Sequence, residues 1–326
     1  MFSKGNQAMA TGMWQQIAQL TMGFEVNSIA MHPDGSRLAA GGFTHPGIAF
    51  CDVGAGKVSR EQSLTVPRVG YGAIAWSPVT PGGLDYVAAL ETSGTALRVF
   101  NGKSFDLAHQ LEFGDLGAAE VVAFNADGSR LVAACSQLIG AYRPETAIYD
   151  TATWRPVSFD SGLNAAHGGW FQGSALVLGY ERRRDGATHL LSVDANDPAV
   201  RRDLLVAGDG RTQHKLAVHA TAGLAAVATH HGSETTICLV DLAQQRITQT
   251  FAIPRYICRS VCFVPSLGCL LLLLTNAEQR TAKLLDYTTG SFFDIEGADG
   301  VSGIGATADG RRFAVASERS LRVFAV

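Results

Sequence analysis

Seven short apolar runs punctuate the chain at nearly even intervals: LAAGG from Leu38, YVAAL from Tyr86, LVAAC from Leu131, LVLGY from Leu176, LAAVAT from Leu224, LLLLLT from Leu270 and FAVAS from Phe313. Runs this short, flanked by turn residues and rich in branched side chains, predict strands buried on both faces rather than helices. Their spacing is 43 to 48 residues. A second series of strand-like segments keeps step with the first and ends in Asp52, Asn101, Asp150, Asp194, Asp241 and Asp286. A third series precedes some of the apolar runs: HPDGSRLAA from His32, NADGSRLVA from Asn125 and TADGRRFAV from Thr307. There Asp-Gly is expected to supply the positive φ angles of a tight hairpin.

Longer matches support an internal repeat. LRVF occurs at both Leu97 and Leu321, and QSLTVPRVGYGAIAWSP from Gln62 resembles QTFAIPRYICRSVCFVP from Gln249. Several strands per period of 40 to 50 residues mark a propeller rather than a helical solenoid. The expected fold is all-β: a seven-bladed β-propeller of four-stranded antiparallel blades forming one domain over residues 1–326. Blade limits fall near 23–66, 67–114, 115–162, 163–209, 210–253, 254–297 and 298–326, with residues 1–13 read as a flexible tail. The chain stops at Val326, directly after LRVFAV, so the seventh blade lacks a final strand. The strand-like segment Trp14 to Thr21, within 14–22, is expected to pair with Leu321 to Val326 and close the ring, removing a sheet edge.

The pattern PDGSRLA, followed some fifteen residues later by a short apolar strand ending in Asp, resembles the WD40 and bacterial WD40-like propeller families across essentially the whole chain. The paired Trp-Asp and the Gly-His dipeptide of a standard repeat are absent from the expected places, so the architecture alone is carried over. That resemblance implies a top face, formed by loops entering the inner strands and loops joining second to third strands, on which ligands meet the ring.

Composition agrees with this architecture and narrows the function. Glycine stands at 36 of 326 residues and charged residues at 17%, a bias toward tight turns and close-packed strands. A net charge of −3 provides no general attraction for a phosphate backbone, so nucleic acid is not expected as a partner. The N-terminal MFSKGNQAMATGMW lacks the apolar stretch of a signal peptide, and the run from Cys269 to Leu274 is too short for a bilayer. A cytoplasmic protein without membrane association is expected. The six cysteines fall mostly in apolar segments without framework spacing, which predicts buried thiols and no disulfides.

The candidate chemistry is basic. Loops on the top face carry Arg68, Arg211, His214, Arg255, Tyr256 and Arg259, and the joining loops carry Arg143, Arg182, Arg183, Arg184 and Arg280. Arginines there can hold carboxylates or phosphates bidentately, with Tyr256 as an aromatic anchor, which points to an acidic protein partner. Interspersed acids such as Glu145, Glu181, Asp185, Asp209, Glu234 and Glu278 offer the plainer reading of a self-neutralised, solvated surface. The Pro-Arg pairs at Arg68 and Arg255 place cations where a small anionic ligand can sit in the channel, or record only repeat ancestry. The loop Ser136 to Glu145, with Leu138, Ile139 and Tyr142, is either a partner handle or folds back on its blade. His230, His231, Cys258 and Cys262 lack zinc spacing, and neither a nucleophile motif nor a phosphate loop occurs, so no metal, cofactor or catalytic residue is assigned. The expected function is a protein–protein interaction platform. The alternative is an enzyme or small-molecule binder at the channel mouth, for instance a propeller-type lactone hydrolase built on His167, Arg68, Arg255 and Glu120. A subunit of a larger redox or secretion assembly is a third reading.

Overall fold

A computed structural model describes residues 12–43, 47–63, 70–78, 85–92, 96–112, 117–137, 146–157, 168–173, 175–182, 187–194, 197, 200–208 and 213–326. The strands form seven four-stranded antiparallel sheets arranged as a seven-bladed β-propeller. The inner strands are Ser28–Met31, Tyr71–Trp76, Gly117–Phe124, Gly168–Gln172, Gln213–His219, Ile257–Val264 and Val301–Ala306. The central strands, Arg37–Gly41, Tyr86–Glu91, Arg130–Gln137, Ala175–Arg182, Leu224–His231, Cys269–Thr275 and Arg312–Ser317, begin within one residue of the seven apolar runs. Their middle residues are apolar because each blade is covered on both faces by its neighbours. Leu38, Val87, Leu131, Leu176, Ala225, Leu270 and Phe313 are completely buried.

The seventh sheet runs from the closing strand Gln15–Thr21 through Ser320–Ala325 and Arg312–Ser317 to Val301–Ala306. Gln15 lies opposite Ala325 and Thr21 opposite Ser320, the pairing expected from sequence. Burial alternates as a half-covered strand requires, with Ala18 and Leu20 inward and Gln19 and Thr21 outward. Trp14 packs edge-on against Phe293 and Phe313, at centroid distances of 6.4 and 6.3 Å.

Six third strands end at Asp52, Asn101, Asp150, Asp194, Asp241 and Asp286, as the repeat predicted. The structure supplies a reason. In most of these blades the side-chain oxygen accepts from backbone N–H groups of the next turn: Ala55 on Asp52, Lys103 and Ser104 on Asn101, Gln244 on Asp241, Thr288 and Thr289 on Asp286. The acid is therefore a turn-former, worth keeping once per repeat.

The Asp-Gly turns work differently from the sequence expectation that both residues take positive φ. Glycine alone does so, at 71° in Gly35, 72° in Gly128 and 70° in Gly310. Each glycine N–H closes a turn onto the residue three before it, while the Asp acts through its carboxylate. Asp34 Oδ1 accepts from the Ser36 N–H at 2.7 Å and lies 2.6 Å from His32 Nδ1. Burial opposes ionisation of Asp34, but hydrogen bonds from Ser36 and His32 outweigh it and bring its pKa to about 2. That lies below the unfolded value near 3.9, so this contribution is complete above about pH 5 and is lost as pH falls through 2. Because Asp34 is 59% exposed, screening limits it to about 1 kcal/mol. Asp34→Asn is expected to lower the urea midpoint at pH 7 and to converge on the parent between pH 4 and 2; a pH-independent difference contradicts the assignment.

The arginines that follow two of these turns, Arg312 and Arg37, tie blades together. Arg312 donates to the Gly35 carbonyl at 2.7 Å, joining blade seven to blade one. Arg37 joins blade one to blade two: it bonds Asp85 Oδ2 at 2.9 Å and the Gly102 carbonyl, and lies 5.2 Å from the Trp76 ring centroid. Asp85 Oδ1 accepts the Trp76 indole N–H at 2.7 Å.

Candidate functional site at the channel mouth

The inner strands line the central channel, and four of them carry a register shift at a corresponding place. The shifts lie between Tyr71 and Ala73, Ala119 and Val121, Cys258 and Ser260, and Val301 and Gly303. Each leaves one residue outside the ladder: Gly72, Glu120, Arg259 and Ser302. A bulge of this kind re-aims a side chain. Ser302 Oγ donates to the Val26 carbonyl at 2.6 Å, and a Cβ on Gly72 would lie 2.8 Å from the Ala119 Cβ, so these positions face the next blade around the ring.

Glu120 reaches further. Its Oε2 lies 2.6 Å from Lys215 Nζ, although blade four separates their inner strands. Glu120 is 11% exposed and Lys215 36%. On the next inner strand Cys258 is buried, and its thiol feels both Lys215 and Arg259. Burial dominates and pushes the thiol up to about 12, so it stays protonated at neutral pH. Arg259 is exposed, with no hydrogen bond or ion pair to another described residue. Beside Gly72 stands the half-exposed Phe43, with a ring carbon 3.6 Å from the position a Gly72 Cβ would take.

The loop entering blade six supplies Arg255 and Tyr256. Arg255 is exposed and holds a left-handed backbone, φ 66°. Thr235 fixes the loop: its hydroxyl donates to the Tyr256 carbonyl at 2.7 Å and accepts from the Cys258 N–H at 2.9 Å. Tyr256 is half-buried, and its hydroxyl accepts from Gln279 Nε2 at 2.8 Å. Next to it an open concavity is lined by Thr275–Arg280 and Gly300, and Arg280 contacts Glu25 at 3.4 Å.

Of the residues singled out from sequence, Arg255, Tyr256 and Arg259 are thus brought to the rim and wall at blade six. Arg68, Tyr142, Arg143, Arg183, Arg184, Arg211 and His167 lie outside the described residues; Arg182 ends a central strand and His214 lies on the inner strand of blade five. Lys215 and Phe43 escaped sequence reading. A lysine inside an apolar-flanked strand was the available signal for the first, and nothing local marked the second.

No model of a known protein family matches the chain, and no curated protein matches it either. The fold defines its class: a closed, seven-bladed, four-stranded β-propeller. No helix among the described residues is long and apolar enough to cross a membrane.

Proposed function

We propose that this chain is a non-catalytic, WD40-like cytoplasmic propeller that docks an acidic protein partner on its top face, with Arg255 and Tyr256 at the centre of the contact. The observation that carries this reading is the backbone of Arg255. Four other described non-glycine residues have positive φ, Phe105, Trp154, Gln245 and Glu318, and all four sit in hairpin turns within a blade. Arg255 sits between blades with its side chain in solvent. A left-handed conformation costs a non-glycine residue about 1–2 kcal/mol, and such strain gathers at binding sites. Tyr256 beside it is a semi-rigid anchor of the type that dominates interfaces. Arg68, Tyr142, Arg143, Arg182, Arg183, Arg184, Arg211 and His214 are proposed as further parts of the same face.

The hydrolase alternative needs Glu120 free to act with a histidine, whereas its carboxylate is neutralised by Lys215 at 2.6 Å. That pairing favours the non-catalytic reading.

Arg255→Gly tests the proposal because glycine relieves the strain while deleting the guanidinium. Stability is expected to stay within about 1 kcal/mol of the parent, relief of φ offsetting greater unfolded-state freedom. Partners captured from the native host and quantified by mass spectrometry are expected to fall at least tenfold. Equal recovery by both proteins removes Arg255 from the interface.

A further inference from the structure

We infer that the outer edge of blade five is a self-association surface, where a second copy of this chain adds its own strand Arg246–Ile253 antiparallel about a two-fold axis at Thr250. The surface lies on the circumference of the ring, so the inference stands apart from the docking reading on the top face.

The outermost strand of each blade is paired along one edge and presents a second row of backbone groups away from its sheet. Such an edge invites another strand unless charge, proline or an irregularity spoils it. Among the described residues, six of the seven edges carry these devices. In blade one Lys57–Ser63 holds Lys57, Arg60 and Glu61, and in blade two a register shift cuts Leu107–Glu112 to four continuous residues ending in Glu112. Arg155–Val157 in blade three has three residues, the middle one proline. Arg201–Ala207 in blade four opens on two arginines and an aspartate, and Phe292–Asp299 in blade six contains three acids. The closing strand of blade seven is uncharged, but a shift at Ile17 leaves only Ala18–Thr21 in continuous register.

Blade five is the exception. Its shift falls near the start of the strand, expelling Thr248 and leaving Gln249–Ile253 in unbroken register with Thr235–Leu239. From Ile247 to Ile253 the strand has neither charge nor proline, and its isoleucines, threonines and phenylalanine all favour extended backbone. Every residue from Arg246 to Thr250 is exposed, as is Ala252.

A second copy suits this edge. With the axis at Thr250, Thr250 of one chain lies opposite Thr250 of the other, and Gln249 lies opposite Phe251. A threonine pair able to share a hydrogen bond then forms the centre. Arg246, the single charge on the strand, stays roughly 25 Å from its copy at about 3.3 Å per residue, beyond a Debye length of about 8 Å. Two four-stranded blades become one eight-stranded sheet, within the usual range. A two-fold contact uses the same patch twice and so closes at a dimer.

One strand pair makes a small interface, so a reversible dimer with a Kd of about 10–100 µM is expected. Sedimentation equilibrium on the full chain, from about 2 to 500 µM, reads it, with thermal unfolding as the check on folding. Thr250→Lys, at an exposed position, sets two ammonium groups against each other at the axis. It is expected to weaken association tenfold or more at an unchanged melting temperature. Thr250→Glu is expected to do the same, and an equimolar mixture of the two variants to recover the parent Kd within threefold. Gln16→Lys, which charges the exposed closing strand of blade seven instead, is expected to leave the Kd unchanged. Arg255→Gly is expected to leave it unchanged too, which separates failure here from failure of the docking proposal. Association indifferent to Thr250→Lys, its loss in Gln16→Lys or Arg255→Gly, or failure of the mixture to recover it each overturns the inference. So does a monomer throughout the concentration range, which leaves the edge to a strand from another protein.

Discussion

Deletion of residues 1–22 is expected to lower the melting temperature by about 10 °C or more and to leave a ring prone to self-association. The lost segment contributes Leu20 at 1% exposure, Met22 at 2% and Ala18 at 9% to the core shared by blades seven and one. Burying each large side chain contributes about 1.5–3 kcal/mol, so these residues alone supply several kcal/mol. Their removal also uncovers Leu321 and Val323, now completely buried, and strips Ser320–Ala325 of its partner strand. An unpaired apolar edge is a template for association with a second chain. Loss also of the Met22 N–H bond to the Arg319 carbonyl loosens the path into blade one. Calorimetry and light scattering on parent and truncated chains provide the check, and a peptide of residues 12–22 added in trans is expected to restore part of the stability. A melting temperature unchanged by the deletion would exclude ring closure by this strand as a major source of stability.

The second large effect is expected at Asp85. Asp85→Ala removes the acceptor shared by Arg37 and the Trp76 indole at a side chain only 6% exposed. Removing one partner of a buried ion pair typically costs 3–5 kcal/mol, since the remaining charge is stranded. The Gly102 N–H also bonds the Asp85 carbonyl at 2.6 Å, and a Cβ on Gly102 would lie 2.0 Å from the Asp85 carboxylate oxygen. Gly102→Ala is therefore expected to destabilise through the same junction. Urea unfolding of Asp85→Ala, Arg37→Ala and the double variant is expected to show strong non-additivity, as for groups sharing one network. A change within about 0.5 kcal/mol for Asp85→Ala refutes the clasp. Arg312 reaches forward in the same way, from blade seven to the Gly35 carbonyl of blade one.

The conserved geometry inside each blade was largely readable in the chain because its causes are local. An apolar run such as Leu131 to Cys135 needs burial wherever it lies, a glycine after Asp34 or Asp127 admits the left-handed turn, and Asp150 or Asp286 closes the next turn over a few residues. Even the closing strand was legible, since a blade short of one strand and an unassigned strand at the other terminus imply one another.

The candidate site was legible only in part. Arg255, Tyr256 and Arg259 were recognised as basic and aromatic residues in a loop, but their different roles were not. The register shift that expels Arg259 from its ladder depends on how two strands meet, and the same holds for Glu120. Lys215 finds Glu120 across 95 residues and over an intervening blade, and Arg37 finds Asp85 across 48. Such pairings depend on the angle and stagger between blades, which no local pattern encodes. The sequence by itself determined the number of blades, their strand boundaries, their turns and the means of closure, since periodic burial and backbone chirality act residue by residue. Only the tertiary structure decided which charges meet, which arginines become clasps and which face the channel, since those outcomes arise when seven similar units are closed into one ring.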